Sequence, residues 1–200
     1  MTLTPGAIHS IETVALVTGV GYAAFAARRN RLCWIAGAVS SAAAAIVAGL
    51  SALPMQSGLQ VFYVGMAVYG WWSWTRSSTN GELLIGTYPW RIHLFVGLAL
   101  IAVSFASARV LASETNAAWP LLDSLTTWFS LFATWLAANA RLENWIYWVV
   151  IDLVLVYLFY VQRAPLLALL NLLFIGIAVA GLVEWRRQLR SQSQASSVPA

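Results

Sequence analysis

Residues 143–152 read Glu143-Asn144-Trp145-Ile146-Tyr147-Trp148-Val149-Val150-Ile151-Asp152, a polar and aromatic entry to an apolar run that continues to Val161. On an α-helix, Trp145, Trp148 and Asp152 stand at i, i+3 and i+7 and share one face. That face offers two indole rings and a carboxylate at membrane depth. The stretch also belongs to a larger pattern. Shifted back by 111 positions, Trp145 falls on Trp34, Pro165 on Pro54, Asn171 on Gln60 and Gly176 on Gly65. Gly181 falls on Gly70, Trp185 on Trp74 and Arg187 on Arg76, and the offset needs no gap. Asp123 and Ser124 fall likewise on Glu12 and Thr13. Self-similarity at a fixed offset means two copies of one folding unit.

Composition sets where those units sit. The 200 residues are 60% hydrophobic and 9% charged, with mean hydropathy +0.75. A soluble domain of this size cannot bury that much apolar surface, so the class is integral membrane protein. Seven apolar segments approach the roughly 20 residues of a spanning helix: about 8–27, 33–53, 59–75, 91–111, 123–140, 144–161 and 165–185. Pro54 with Ser57-Gly58 divides the second from the third, and Pro165 follows the sixth.

Arginine placement predicts the orientation. Arg28, Arg29, Arg31, Arg76, Arg91, Arg141, Arg186, Arg187 and Arg190 fall on one side of the membrane, and only Arg109 and Arg163 on the other. This bias puts the C-terminus in the cytoplasm and, with seven spans, the N-terminus outside. The basic residues form no interleaved surface patch, so the net charge of +4 is a topology signal and no nucleic-acid partner is expected. Met1 to His9 carries no lysine or arginine, which argues against a cleaved signal peptide, and the first apolar segment is expected to be kept. Cys33 is the single cysteine, so disulfide frameworks and multi-cysteine metal sites are excluded.

The expected architecture is all-α, with seven transmembrane helices in a 3+1+3 arrangement. Residues 8–75 form a first three-helix bundle, and 123–187 a second. Residues 76–122 link them through a connecting helix at 91–111. That helix restores the starting side, so the repeat is parallel, related by an axis along the membrane normal. Substrate in such folds binds near the bilayer midplane between the two bundles. The Ser/Gln-rich residues 188–200 are read as a disordered cytoplasmic tail.

Each candidate residue carries a structural and a functional reading. Trp145 and Trp148 could belong to the interfacial aromatic belt; Trp148, one turn deeper, fits a ligand role, because an indole face attracts a cation. Asp152 sits in the apolar part of its span, where a charge requires a partner or a wet cavity. The alternatives are a protonated carboxyl bonded to a neighbouring helix, or pairing with a substrate cation or hydroxyl. Gln60 and Asn171 are repeat-related amides, either interhelical hydrogen-bonders or contacts for a carboxamide or sugar hydroxyl. Asn144 either caps the sixth helix through its side-chain oxygen or contacts ligand. Glu12 and Asp123 read as charges favouring helix N-termini, and Gly65, Gly70, Gly176 and Gly181 as sites of close helix approach. Trp71 and Trp72 read as belt residues, and His9 and His93 as solitary, solvated boundary residues.

The sequence contains no His-Glu-x-x-His helix, no Walker loop, no Gly-x-Ser-x-Gly and no carboxylate cluster suited to two metals. No enzyme activity, metal or cofactor is expected. Without an ATP site, transport would be passive.

The run Leu59-Gln60-Val61-Phe62-Tyr63 through Tyr69-Gly70-Trp71-Trp72-Ser73-Trp74 resembles the third-helix signature of PnuC-type nicotinamide riboside transporters. Asp123-Ser124, the Glu143-Asn144-Trp145-Ile146-Tyr147-Trp148 run, and Gly181 with Trp185-Arg186-Arg187 resemble that family's second-half signature. The likeness covers roughly Ser10 to Arg187. It implies a fold akin to the sugar-transporting SWEET proteins and a homotrimer in the bacterial inner membrane. It also implies facilitated diffusion of nicotinamide riboside, trapped by a cytoplasmic kinase. Trp145 and Trp148 would stack on or near the pyridinium ring, Asn144 would help hold the site, and Gln60 and Asn171 would be polar contacts. An extra leading helix of some relatives is expected to be missing. Relatives that look alike move thiamine, also a cationic heteroaromatic, so thiamine is the alternative substrate, with riboflavin a further vitamin moved in the family. A membrane scaffold or sensor without transport is the alternative from another class.

Overall fold

The computed structural model describes residues 4–50, 54–79, 82–114 and 119–195. Seven α-helices follow in order among these residues: α1 Pro5–Ala27, α2 Leu32–Leu50, α3 Pro54–Arg76, α4 Trp90–Glu114, α5 Pro120–Ala138, α6 Asn144–Val161 and α7 Pro165–Ala195. Prolines open α1, α3, α5 and α7, where the missing N–H is one the helix start leaves unpaired anyway. The Thr4 side chain caps α1 by accepting the Ala7 N–H at 3.3 Å.

Among the described residues, α1, α2, α4, α6 and α7 are long and apolar enough to cross a membrane by length and composition alone. The other two hold more polar side chains, such as Gln60, Ser73 and Thr75 on α3 and Ser124, Thr126 and Thr134 on α5.

Several expected boundaries move. The last helix does not stop near residue 187: α7 stays helical to Ala195, so the part of the expected tail from Gln188 to Ala195 is structured, and residues 196–200 lie outside the described residues. One contact fits that extension, since Gln192 Nε2 donates to the Leu83 carbonyl at 3.1 Å, and the polar Arg186–Gln194 stretch suits a helix surface. The polar linker after α3 folds into a two-stranded antiparallel ladder, β1 Ser78–Thr79 and β2 Glu82–Leu83, in register Ser78↔Leu83. Glu12 lies in the second turn of α1 rather than at its start, because the helix begins earlier than its apolar run.

The chain divides into two compact units. The first comprises residues 1–84 with 138–140 and 190–200; the second comprises 85–137 and 141–189, so the connecting helix α4 groups with α5–α7.

In the first unit, Ser40 Oγ donates to the Ala15 carbonyl at 2.7 Å, tying α2 to α1, and Ser57 Oγ donates to the Ala45 carbonyl at 3.2 Å, tying α3 to α2. A Cβ on Gly37 would stand 3.0 Å from the Tyr22 ring. Helices in a bilayer gain their attraction from such close packing and hydroxyl bonds, since lipid tails are as apolar as the side chains themselves. Trp34 is 2% exposed; its indole lies directly over Gly70 and stands edge-on to Trp74, with centroids 5.4 Å apart and planes at 86°.

The second unit repeats this arrangement with residues 111 positions later. Trp145 lies over Gly181, whose Cβ would stand 2.7 Å from the ring, and meets Trp185 edge-on at 5.5 Å and 87°. The corners repeat too. Arg29 (φ 57°) and Ala140 (φ 52°) are left-handed corner residues at the same offset. The residue after each returns its N–H to a carbonyl five positions back, Asn30 to Phe25 and Arg141 to Leu136, both at 2.9 Å. This is the hydrogen bond of a Schellman helix end. Gly65 and Gly176, also repeat-related, face open space and make no close approach.

Candidate functional site

Helix α6 divides lengthwise. Ile146, Val150, Leu153, Tyr157 and Tyr160 are exposed and form one row, suited to lipid. Asn144, Trp145, Ile151, Asp152 and Leu158 are buried on the other side. With 3.6 residues per turn, Trp148 projects about 160° from the centre of the exposed row. It is half-buried there, neither sealed in the core nor facing lipid.

The inner row distinguishes its members. Trp145 is 4% exposed, with Gly181 against its ring and Trp185 edge-on to it, in a packing that Trp34 duplicates. Its indole Nε1 is buried without a hydrogen-bond partner among the described residues, as is Nε1 of Trp34. Asn144 is 1% exposed and does not cap α6 through its oxygen. Glu143 is the N-cap residue, and Asn144 instead donates its Nδ2 to the Arg141 carbonyl at 2.6 Å, binding the helix start to the corner. Asp152 is 5% exposed, and no hydrogen bond or ion pair of its carboxylate occurs among the described contacts. An ionised carboxylate so placed needs a partner or a wet cavity, whereas a protonated one does not.

The repeat-related amides lie in different units. Gln60, on α3, is half-buried. Asn171, on α7, is 6% exposed and donates its Nδ2 to the Leu167 carbonyl of its own helix at 2.8 Å. The four α6 residues thus share a helix side, whereas Asn171 and Gln60 are contributed by other elements.

A second cluster in the same unit was not legible in the sequence. His93 is not solitary and solvated: its side chain is 19% exposed, its Nδ1 lies 3.1 Å from Tyr147 Oη, and its Nε2 lies 3.7 Å from Glu143 Oε1. Glu143 Oε1 also accepts the Tyr88 N–H at 2.7 Å. The Leu142 N–H donates to the Gly86 carbonyl at 3.0 Å. The Arg141 guanidinium lies 4.2 Å above the Tyr88 ring, which stacks on Trp135 at 5.9 Å. A Cβ on Gly86 would collide with Arg141 Nη1, so the absence of a side chain there permits the close pass. The segment before α4 is thereby strapped to the start of α6. These residues are some 50 positions apart and share no period, so only Glu143 and Tyr147 were visible as part of a motif. His9 is exposed, as expected, but it is not solitary, since its Nδ1 lies 3.5 Å from Glu12 Oε2. Trp72 is half exposed with Arg76 4.3 Å above its ring, consistent with a belt residue.

Comparison with known proteins agrees with this architecture. A family model described as "Nicotinamide mononucleotide transporter" matches residues 9–187. The nicotinamide riboside transporter PnuC of Escherichia coli (strain K12) is 28% identical over 160 residues, covering 67% of each chain, and that of Shigella flexneri matches to the same extent. A crystal structure of the vitamin B3 transporter PnuC superposes with a TM-score of 0.72 at 22% identity, covering 90% of this chain and 82% of that one, which establishes the shared fold. This multi-pass membrane protein belongs to the nicotinamide mononucleotide transporter family.

Proposed function

We propose that the chain carries nicotinamide riboside across the bacterial inner membrane by facilitated diffusion. The curated relatives bear that substrate in their names, and the family description names the mononucleotide instead. The chemistry of this chain favours the riboside. Its lysine and arginine side chains are all arginines, and each lies in a corner, a linker, near a helix end or, for Arg186, Arg187 and Arg190, in the polar last third of α7. A phosphate drawn into the span would need such groups at depth. What lies at depth instead is Asp152, a carboxylate that repels phosphate and attracts a pyridinium.

The observation that carries the reading is the inner row of α6: a half-buried Trp148 one turn from a buried, unpartnered Asp152. Trp148 offers a ring face to the flat cation. Asp152 balances the charge or accepts a ribose hydroxyl. Trp145 serves through its unpartnered indole N–H and by backing the site, since Trp185 and Gly181 occupy its ring. Asn144 holds the start of α6 in place, with Gln60 and Asn171 as further polar contacts. The arginine bias supports an outside N-terminus and a cytoplasmic C-terminus. The family resemblance supports a homotrimer, seated in lipid, and a cytoplasmic kinase that traps the product.

Titration of purified protein tests the substrate. Saturable binding of nicotinamide riboside with no response to the mononucleotide or thiamine supports the proposal. Tighter binding of either competitor overturns it, and flux-free liposomes would return the chain to a scaffold or sensor.

A further inference from the structure

The strap beneath α6 contains a chemical asymmetry that transport of a permanently charged substrate does not use. Three buried polar atoms in it have no hydrogen-bond partner among the described residues: His93 Nε2, Glu143 Oε2 and Arg141 Nε. Such atoms are costly to leave unpaired, and two of them belong to the acid and base that face each other. His93 Nε2 and Glu143 Oε1 stand 3.7 Å apart, too far for a hydrogen bond. Closing that gap by about 0.9 Å would give a charge-assisted bond of ordinary length.

We propose that His93 and Glu143 form a proton-responsive latch on the start of α6. With His93 neutral, the Tyr147 hydroxyl engages one ring nitrogen and the other faces the carboxylate without bonding to it. A proton taken from water onto the imidazole makes Nε2–H a charged donor aimed at Glu143. The pair then closes, and the N–H of Tyr88 and the carboxylate that holds it are drawn together with α4.

Other charged and titratable side chains stand around the pair. The corner contributes Arg141 and Glu143, α6 contributes Tyr147, and the strap contributes Tyr88. Among the described residues, α5 contributes the aromatic rings of Phe129, Phe132 and Trp135. Glu143 immediately precedes Asn144 and Trp145, so the latch sets how firmly the helix carrying the proposed site is held. This regulatory consequence rests on the transport reading; the latch itself does not.

Amide hydrogen exchange of the full protein in nanodiscs tests it at about pH 5.5 and 8, the imidazole range, corrected for intrinsic rates. Peptides covering residues 86–93 should exchange several-fold more slowly at the acid pH. H93Q and E143Q should each remove that difference. Glu143→Gln keeps an oxygen for the Tyr88 N–H and deletes only the charge, so it separates the latch from a folding defect. No pH effect in the wild type, or an undiminished effect in both variants, overturns the proposal. Nicotinamide riboside affinity measured in parallel should follow the same profile and lose it in H93Q. A flat affinity beside a pH-dependent exchange profile overturns the regulatory consequence. Failure of the riboside to bind at either pH, with the exchange profile intact, would refute the substrate and leave the latch standing.

Discussion

Trp145 meets Trp185 edge-on at 5.5 Å and 87°, and the pair repeats, almost to the degree, the 5.4 Å and 86° of Trp34 with Trp74. Edge-to-face contact sets the positive rim of one indole against the negative face of the other. In both three-helix repeats the second-helix tryptophan lies over a glycine, Gly181 or Gly70, on the third helix. The internal repeat is therefore a repeat of one packing device, an indole held against a glycine and edge-on to a second indole.

Gly181→Ala and Gly70→Ala should each destabilise the protein. The added methyl lands on the indole, and overpacking of this kind costs about 1–3 kcal/mol. Gly176→Ala and Gly65→Ala, which face open space, should be neutral or mildly stabilising. Thermal unfolding in detergent would compare the four, and equal behaviour of the two pairs would contradict the packing.

Trp145→Ala and Trp148→Ala should separate stability from binding. Loss of the fully packed Trp145 should cost about 3–5 kcal/mol of stability. Loss of the half-buried Trp148 should leave unfolding nearly unchanged and weaken riboside binding by about 0.5–2 kcal/mol. Calorimetric titration beside a melting curve reads both numbers. A Trp148 variant with unaltered affinity would assign that ring to packing.

Asp152→Asn keeps the shape and removes the charge. Binding of the cationic riboside should weaken by about 1.5–3 kcal/mol, the worth of a hydrogen bond to a charged group. Binding of the dihydro form, whose ring is uncharged, should be nearly unaffected. Competition between the two forms checks this, and equal losses for both would mean that Asp152 does not read charge.

Ala140→Gly should stabilise the α5–α6 corner. Ala140 adopts φ 52°, where a Cβ costs about 1–2 kcal/mol, offset by about 0.4–1 kcal/mol of extra backbone freedom in the unfolded chain. The net gain should appear as a higher melting temperature with substrate affinity unchanged.

The sequence by itself determined the membrane class, the helix count, the order of helices and the repeat. Those follow from apolar run length, proline and glycine punctuation, and matched residues at one fixed offset, all properties of the chain read locally. It also singled out the inner face of α6, since helical spacing alone aligns Trp145, Trp148 and Asp152. Only the tertiary structure decided how each of them is packed there. Trp145 and Trp148 are the same residue type one turn apart, yet a neighbouring glycine and tryptophan seal one ring and leave the other half open. His93, Tyr88, Arg141 and Glu143 came together only on folding, because side-chain pairs some 50 residues apart leave no periodic trace. The same holds for α7, whose polar last turns stay helical to Ala195 through partners such as the Leu83 carbonyl that composition cannot announce.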